Sequence, residues 1–243
     1  MTQINIQEVA AIIDRSGSMM GKEDDTLGGI NKTFEVLKEE RDETTKINVS
    51  VKLFDHEEIM LFRSIDLEEV RNITREQYQP RGQTALLDAM GNTLTYFMEK
   101  KLRNPNAYNS CVIYVVTDGI ENASKRFTSK TVKELITSAE ASYNIKVLYL
   151  GANQDAIMEA NKYGINPNQA MNYSETPETV DAAYRACASV ARRVSTTGDA
   201  SFRMAEREAS QPYRSVTSPP QVLRHTNTIY QAVTSTLPTP TRQ

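Results

Sequence analysis

The chain has 243 residues, of which 39% are hydrophobic and 24% charged, with a formal net charge of -3 at pH 7. That is enough apolar material for a sizeable core, in one domain with an appendage. The mildly acidic balance excludes a general attraction to nucleic acid and leaves room for a divalent cation. No stretch approaches a membrane span, and Met1-Thr2-Gln3-Ile4-Asn5 has neither the cationic nor the apolar region of a leader. A cytoplasmic protein, or part of a virion assembled in the cytoplasm, is therefore expected. Cys111 falls in a predicted buried strand and Cys187 in a predicted helix, where both serve as small apolar side chains in a reducing compartment.

Residues 5 to 13 read as a first central strand, ending in Asp14-Arg15-Ser16-Gly17-Ser18-Met19. A carboxylate and two hydroxyls at alternate positions, with a glycine among them, can turn their oxygens toward one point, and such hard donors suit Mg²⁺ or Ca²⁺. Alone, the turn also fits any loop after a strand. Glu23-Asp24-Asp25 then leads into a helix from about Thr26 to Arg41, with Leu27, Ile30, Phe34 and Leu37 on one face. The acidic run suits a helix N-terminus, with Asp25 or Thr26 as the cap; Glu23 or Asp24 as an outer metal contact is the alternative.

Lys46 to Phe54 and Glu58 to Phe62 form a predicted hairpin through Asp55-His56-Glu57, which puts one strand at a sheet edge and His56 in an exposed turn. Residues 64 to 80 read as polar and irregular, with one short helix at Leu67 to Asn72. Arg81-Gly82-Gln83-Thr84 opens a helix to Leu102, with Leu87, Met90, Leu94 and Phe97 inward. Asp88 lies one turn beyond Thr84 on the same face, placed to orient a hydroxyl ligand or simply to decorate the first turns.

A second buried strand, Cys111 to Thr117, ends in Asp118-Gly119. A loop, a helix over Ser129 to Tyr143 and a strand over Ile145 to Leu150 follow. Gly151-Ala152-Asn153 caps a short helix from Gln154 to Tyr163, with Asn153 at the rim as the alternative. Ala170 to Tyr173 is a weak last strand. Thr176-Pro177 starts a helix with Pro in its first position, carrying Val180, Tyr184, Cys187, Val190, Ala191 and Val194 on one face. Alternation of strands and helices predicts an α/β fold: a three-layer, doubly wound, Rossmann-like sheet, mostly parallel, with one antiparallel edge strand. Asp14 and Asp118 would then meet at the carboxyl ends of neighbouring strands.

Composition shifts after Ser195: no lysine occurs beyond Lys162, and Ser, Thr and Pro become dense. The expected division is a domain over 1–195 and a Ser/Thr/Pro-rich tail over 196–243, disordered or ordered by a partner. Within the tail, Ala200 to Ala209 reads as a short helix, and Leu223, Ile229, Tyr230 and Val233 as docking anchors.

Taken together, Asp14-Arg15-Ser16-Gly17-Ser18, Gly82-Gln83-Thr84 and Thr117-Asp118-Gly119 resemble a von Willebrand factor type A domain with a complete metal-ion-dependent adhesion site. Glu23-Asp24-Asp25-Thr26, Thr84 to Ala89, Glu121 to Ser124, Gly151-Ala152-Asn153 and Asn172-Tyr173 extend the resemblance to compact stand-alone bacterial and phage members. It covers residues 1 to about 195. The resemblance implies that Ser16, Ser18 and Thr84 give oxygens directly to Mg²⁺, with Mn²⁺ or Ca²⁺ as alternatives, while Asp14 and Asp118 hold it mainly through water. Asp88, Glu23, Asp24, Glu121, Asn122 and Asn153 are the surrounding rim candidates.

Three hydroxyls leave a divalent charge poorly quenched, so the expected role is a non-enzymatic binding module that captures an Asp or Glu of a partner protein. An assembly subunit, in a phage particle or an ATPase-linked complex and anchored by the tail, is the alternative. A Mg-dependent hydrolase is disfavoured. Arg15 stands where a D-x-D phosphotransferase has its second Asp, no G-x-x-x-x-G-K-[ST] loop is present, and the histidines are misplaced for a Ser-His-Asp relay.

Overall fold

In the computed structural model, which describes residues 4–152 and 155–211, the apolar runs become six strands of one sheet. They are β1 (Asn5–Asp14), β2 (Thr45–Phe54), β3 (Glu58–Asp66), β4 (Ser110–Thr117), β5 (Ile145–Ala152) and β6 (Ala170–Tyr173). Their order is β3-β2-β1-β4-β5-β6, all neighbours pairing in parallel except β3 against β2. Every residue of β4 is buried, as a central strand covered on both faces requires.

Helices cover the two faces separately. On one, α1 (Glu23–Glu40) and α5 (Pro177–Thr197) pack over Val9, Ala11 and Ile13. On the other, α2 (Leu86–Arg103), α3 (Ser129–Ser142) and α4 (Ala156–Lys162) pack over Ala10 and Ile12. The period of two along β1 thus feeds two cores. Cys111 and Cys187 are buried and unpaired with each other, and no helix of the described residues is long and apolar enough to cross a membrane.

Some boundaries differ from expectation. Because the macrodipole favours acids in a first turn, Glu23, Asp24 and Asp25 lie inside α1 rather than ahead of it. The helix expected over Leu67 to Asn72 is a single 3-10 turn, Leu67–Glu69, capped by the Asp66 carboxylate accepting from the Glu68 amide at 3.1 Å. Before it, β3 runs on to Asp66 past Phe62 through an irregular register near Ser64, which has φ 49°. At α4 the cap is Asp155, which accepts from the Met158 amide at 2.9 Å. Asn153 lies outside the described residues, as do Leu223, Ile229, Tyr230 and Val233.

The boundary expected at 195 falls inside α5, which continues to Thr197. A short α6 (Met204–Ala209) then packs back. Arg193 grips Glu206 at 2.7 and 2.9 Å. Arg207 donates to the Ala170 carbonyl at 2.7 Å, and the Ser174 amide donates to the Ser210 carbonyl at 3.0 Å. These contacts tie residues up to 210 to β6 and α5.

The seam between α1 and α5 depends on Gly29. A Cβ there would stand 2.3 Å from the Tyr184 ring, and that ring is buried. Gly29→Ala is expected to lower stability by about 1–3 kcal/mol despite alanine's better helix propensity. A thermal melt against the parent chain measures it.

Candidate metal centre

The chain leaves β1 into α1 on one face of the sheet and leaves β4 into α3 on the other. The adjacent carboxyl ends of β1 and β4 therefore frame the crevice where doubly wound sheets bind ligands. A 3-10 turn over Gly17–Met19 follows β1 and places Ser16 and Ser18 beside Asp14.

Asp14 is fully buried. One of its oxygens accepts from the Ser16 amide at 2.7 Å and the other from the Thr117 hydroxyl at 2.6 Å. The Ser16 and Ser18 hydroxyl oxygens are 3.1 Å apart, and Ser18 donates to Asp118 Oδ1 at 2.6 Å. With its proton directed to Asp118, Ser18 keeps its lone pairs for a cation.

Thr84 completes the group, and Gly119 marks the point on which the oxygens converge. A Cβ on Gly119 would lie 2.9 Å from Thr84 Oγ1, 3.2 Å from Ser18 Oγ and 3.3 Å from Asp14 Oδ2. Oxygens from three distant segments thus surround one small space that a side chain would fill. The donors are all hard oxygens, with no thiol or imidazole among them, and this set fits Mg²⁺ or Mn²⁺.

Backbone bonds hold the segments in place. The Gly17 amide donates to the Gly82 carbonyl at 3.1 Å, and the Arg81 amide to the Arg15 carbonyl at 2.7 Å. Thr84 is clamped by Asn122, whose side-chain oxygen accepts from the Thr84 amide at 2.9 Å while its own amide donates to the Thr84 carbonyl at 3.0 Å. Gly82 has φ +68°, a conformation that favours glycine.

Other rim candidates take different roles. Glu121 accepts from the amides of Leu87, Ala123 and Ser124 and from the Ser124 hydroxyl. Asp88 accepts from the amides of Lys125, Arg126 and Phe127, all at 2.9 Å, which holds its carboxyl below the usual range although partial burial opposes this. Both therefore tie the loop after β4 to α2, and Asp88 does not orient a hydroxyl of the centre. Glu23 and Asp24 are ion-paired with Arg75.

Four contributors carried no motif signal. The buried Tyr78 donates its hydroxyl to the Asp14 carbonyl at 2.6 Å. Asp55, at the end of β2, pairs with Arg15 and Arg81, each at 3.0 Å. Lys22 bridges the free oxygen of Asp118 to Glu175. Its position just past the strand neighbouring Asp14 is the one feature of the sequence that could have found Asp55. Although Asp55, His56 and Glu57 offer donor atoms within 4.8 Å of one another, Arg15 and Arg81 already neutralise the two acids.

Burial raises the Asp14 carboxyl to about 6, overcoming the hydrogen bonds from Thr117 and Ser16 that lower it. Taking a charge into this crevice without a cation is unfavourable.

The family model for the von Willebrand factor type A domain matches residues 8–184. No curated protein matches significantly. Among solved structures, proximal thread matrix protein 1 from the mussel byssus, with a zinc-occupied MIDAS motif, is 14% identical with a TM-score of 0.53; the match covers 77% of this chain and 46% of that one. The vWF domain of the type V pili tip protein Mfa5 from Porphyromonas gingivalis is 12% identical with a TM-score of 0.57, over 81% and 98%. Manganese-loaded TRAP protein of Plasmodium vivax is 16% identical with a TM-score of 0.50, over 72% and 70%. The chain spans less than half of the mussel protein, and at these identities the likeness is one of fold.

Proposed function

Because the chain belongs to the von Willebrand factor type A family, we propose that it is a divalent-metal-dependent protein-binding module whose centre takes an Asp or Glu of a partner. Ser16, Ser18 and Thr84 would hold Mg²⁺ directly, with Asp14 and Asp118 acting mainly through water. The convergence of three segments' oxygens on the space beside Gly119 carries this reading. When bound, the ion supplies a positive charge that three neutral hydroxyls quench poorly, leaving an attraction for an incoming carboxylate.

The residues of this chain prepare that attraction. Thr117 and the Ser16 amide orient Asp14, Asp118 takes the Ser18 proton, and Asn122 fixes Thr84. A hydrolytic role has less support, since Arg15 is buried and paired with Asp55 at 3.0 Å, leaving no second carboxylate at that position.

Calorimetric titration with Mg²⁺ and Mn²⁺, combined with retention on immobilised acidic peptides, tests the proposal. The parent chain should bind metal and retain peptide, Ser16→Ala should lose both while its melting curve stays cooperative, and chelator should release the peptide. Undiminished retention in excess chelator would overturn the reading.

Lys22 opposes the cation. Its ammonium sits on Asp118 and Glu175, so a positive charge of this chain already occupies part of the acidic surface. Lys22→Met is expected to tighten Mn²⁺ binding about threefold to tenfold, the scale of removing one charge near another in a partly hydrated site. Titration at fixed ionic strength measures it.

A further inference from the structure

The edges of the centre carry a feature that metal binding does not need. Met20 and Ile120 are 62% and 71% exposed, among the most exposed large apolar side chains of the described residues. Scattered exposed apolar residues are ordinary, but these two follow residues of the centre on two different loops. Met20 is two positions beyond Ser18, and Ile120 is two positions beyond Asp118. The loops touch through the 2.6 Å Ser18–Asp118 hydrogen bond. Since neighbouring Cα atoms are about 3.8 Å apart, the Cα of each lies within about 8 Å of the Cα of a residue of the centre.

Nearby charges are already matched. Lys22 is paired with Asp118 and Glu175, and Arg81 with Asp55 and Glu57. Next to the centre, this leaves two uncovered apolar groups on separate loops.

We propose that Met20 and Ile120 form an apolar rim that selects a partner segment whose acidic residue is flanked on both sides by apolar side chains. The proposal rests on the metal-dependent capture described above and names the chemistry of its partner. A lone carboxylate or a wholly polar acidic segment would satisfy the cation and leave both rim groups in water. A segment with leucine, isoleucine or phenylalanine on each side of the acid would also remove apolar surface from water at both. Methionine suits this role because its unbranched side chain adapts to different neighbours.

Two immobilised peptides, Gly-Leu-Asp-Leu-Gly and Gly-Ser-Asp-Ser-Gly with blocked ends, provide the test. Retention of the full-length chain is measured with Mn²⁺ and with chelator, for the parent and for the Met20→Ser, Ile120→Ser double variant. Calorimetry of Mn²⁺ alone accompanies each. The parent is expected to favour the leucine peptide at least about tenfold, only with metal. The double variant should lose that preference while keeping the parent's Mn²⁺ affinity.

Equal, metal-dependent retention of both peptides would overturn the rim and leave the metal reading standing. A preference that survives in the double variant would likewise overturn the rim alone. Retention of the leucine peptide undiminished by chelator, or no metal-dependent retention of either peptide, would overturn the rim together with the metal reading.

Discussion

Gly119→Ala should abolish binding of Mg²⁺ and Mn²⁺ while leaving the domain folded. The new methyl would stand 2.9 to 3.3 Å from oxygens of Thr84, Ser18 and Asp14, in the space where the proposed cation would sit. Rigidity makes the effect large. Thr84 is clamped by Asn122 on both its amide and its carbonyl, and Asp14 is held by Ser16 and Thr117, so neither of these two can retreat freely. A loss of metal affinity of at least about 100-fold is expected, equivalent to some 2.7 kcal/mol at 1.36 kcal/mol per decade. Calorimetry measures it, and an unchanged far-ultraviolet spectrum with a cooperative melt establishes that the fold survives. Gly119→Ala binding metal like the parent would mean that the cation lies elsewhere.

Asp14→Asn should move two properties in opposite directions. Metal affinity should fall by a similar factor, because the anionic oxygen is gone. Stability of the metal-free domain at pH 7.5 should rise by about 1–3 kcal/mol, since burial lifts the Asp14 carboxyl from 3.8 to about 6. A raised carboxyl favours the neutral form in the fold. Its stabilising contribution is therefore complete below pH 3.8 and is lost as pH climbs through about 6. Asparagine never makes that transition. Its amide can also donate to Thr117 where the carboxylate accepted, while its oxygen still accepts from the Ser16 amide. Urea titrations without metal at several pH values should show the parent losing stability through this interval relative to the variant. The same proton competes with the cation, so metal affinity of the parent should decline below about pH 6.

The strand and helix sequence, the placing of one hairpin strand at a sheet edge and the meeting of Asp14 with Asp118 were legible from periodicity, local spacing and the geometry of doubly wound sheets. What escaped depended on packing between distant segments. Tyr78 lies 64 residues from the carbonyl it supports, in a stretch that reads as irregular. Lys22 and Glu175 meet only because the loop after β6 returns to the same end of the sheet. Asp88 and Glu121 show a second limit, because spacing located both acids near the centre without indicating which way they face. Their oxygens satisfy backbone amides of the loop after β4, since buried amides need acceptors. For the docking anchors proposed in the tail, the described residues end before Leu223.

The strap formed by residues 199–211 does more than extend the domain. By engaging the Ala170 carbonyl and the Ser174 amide, it closes part of the outer border of a sheet that would otherwise offer hydrogen-bonding groups to any extended peptide. Cutting the chain at 195 would bare that border and invite self-association by strand addition. Size-exclusion chromatography of the truncated chain against the parent measures that self-association.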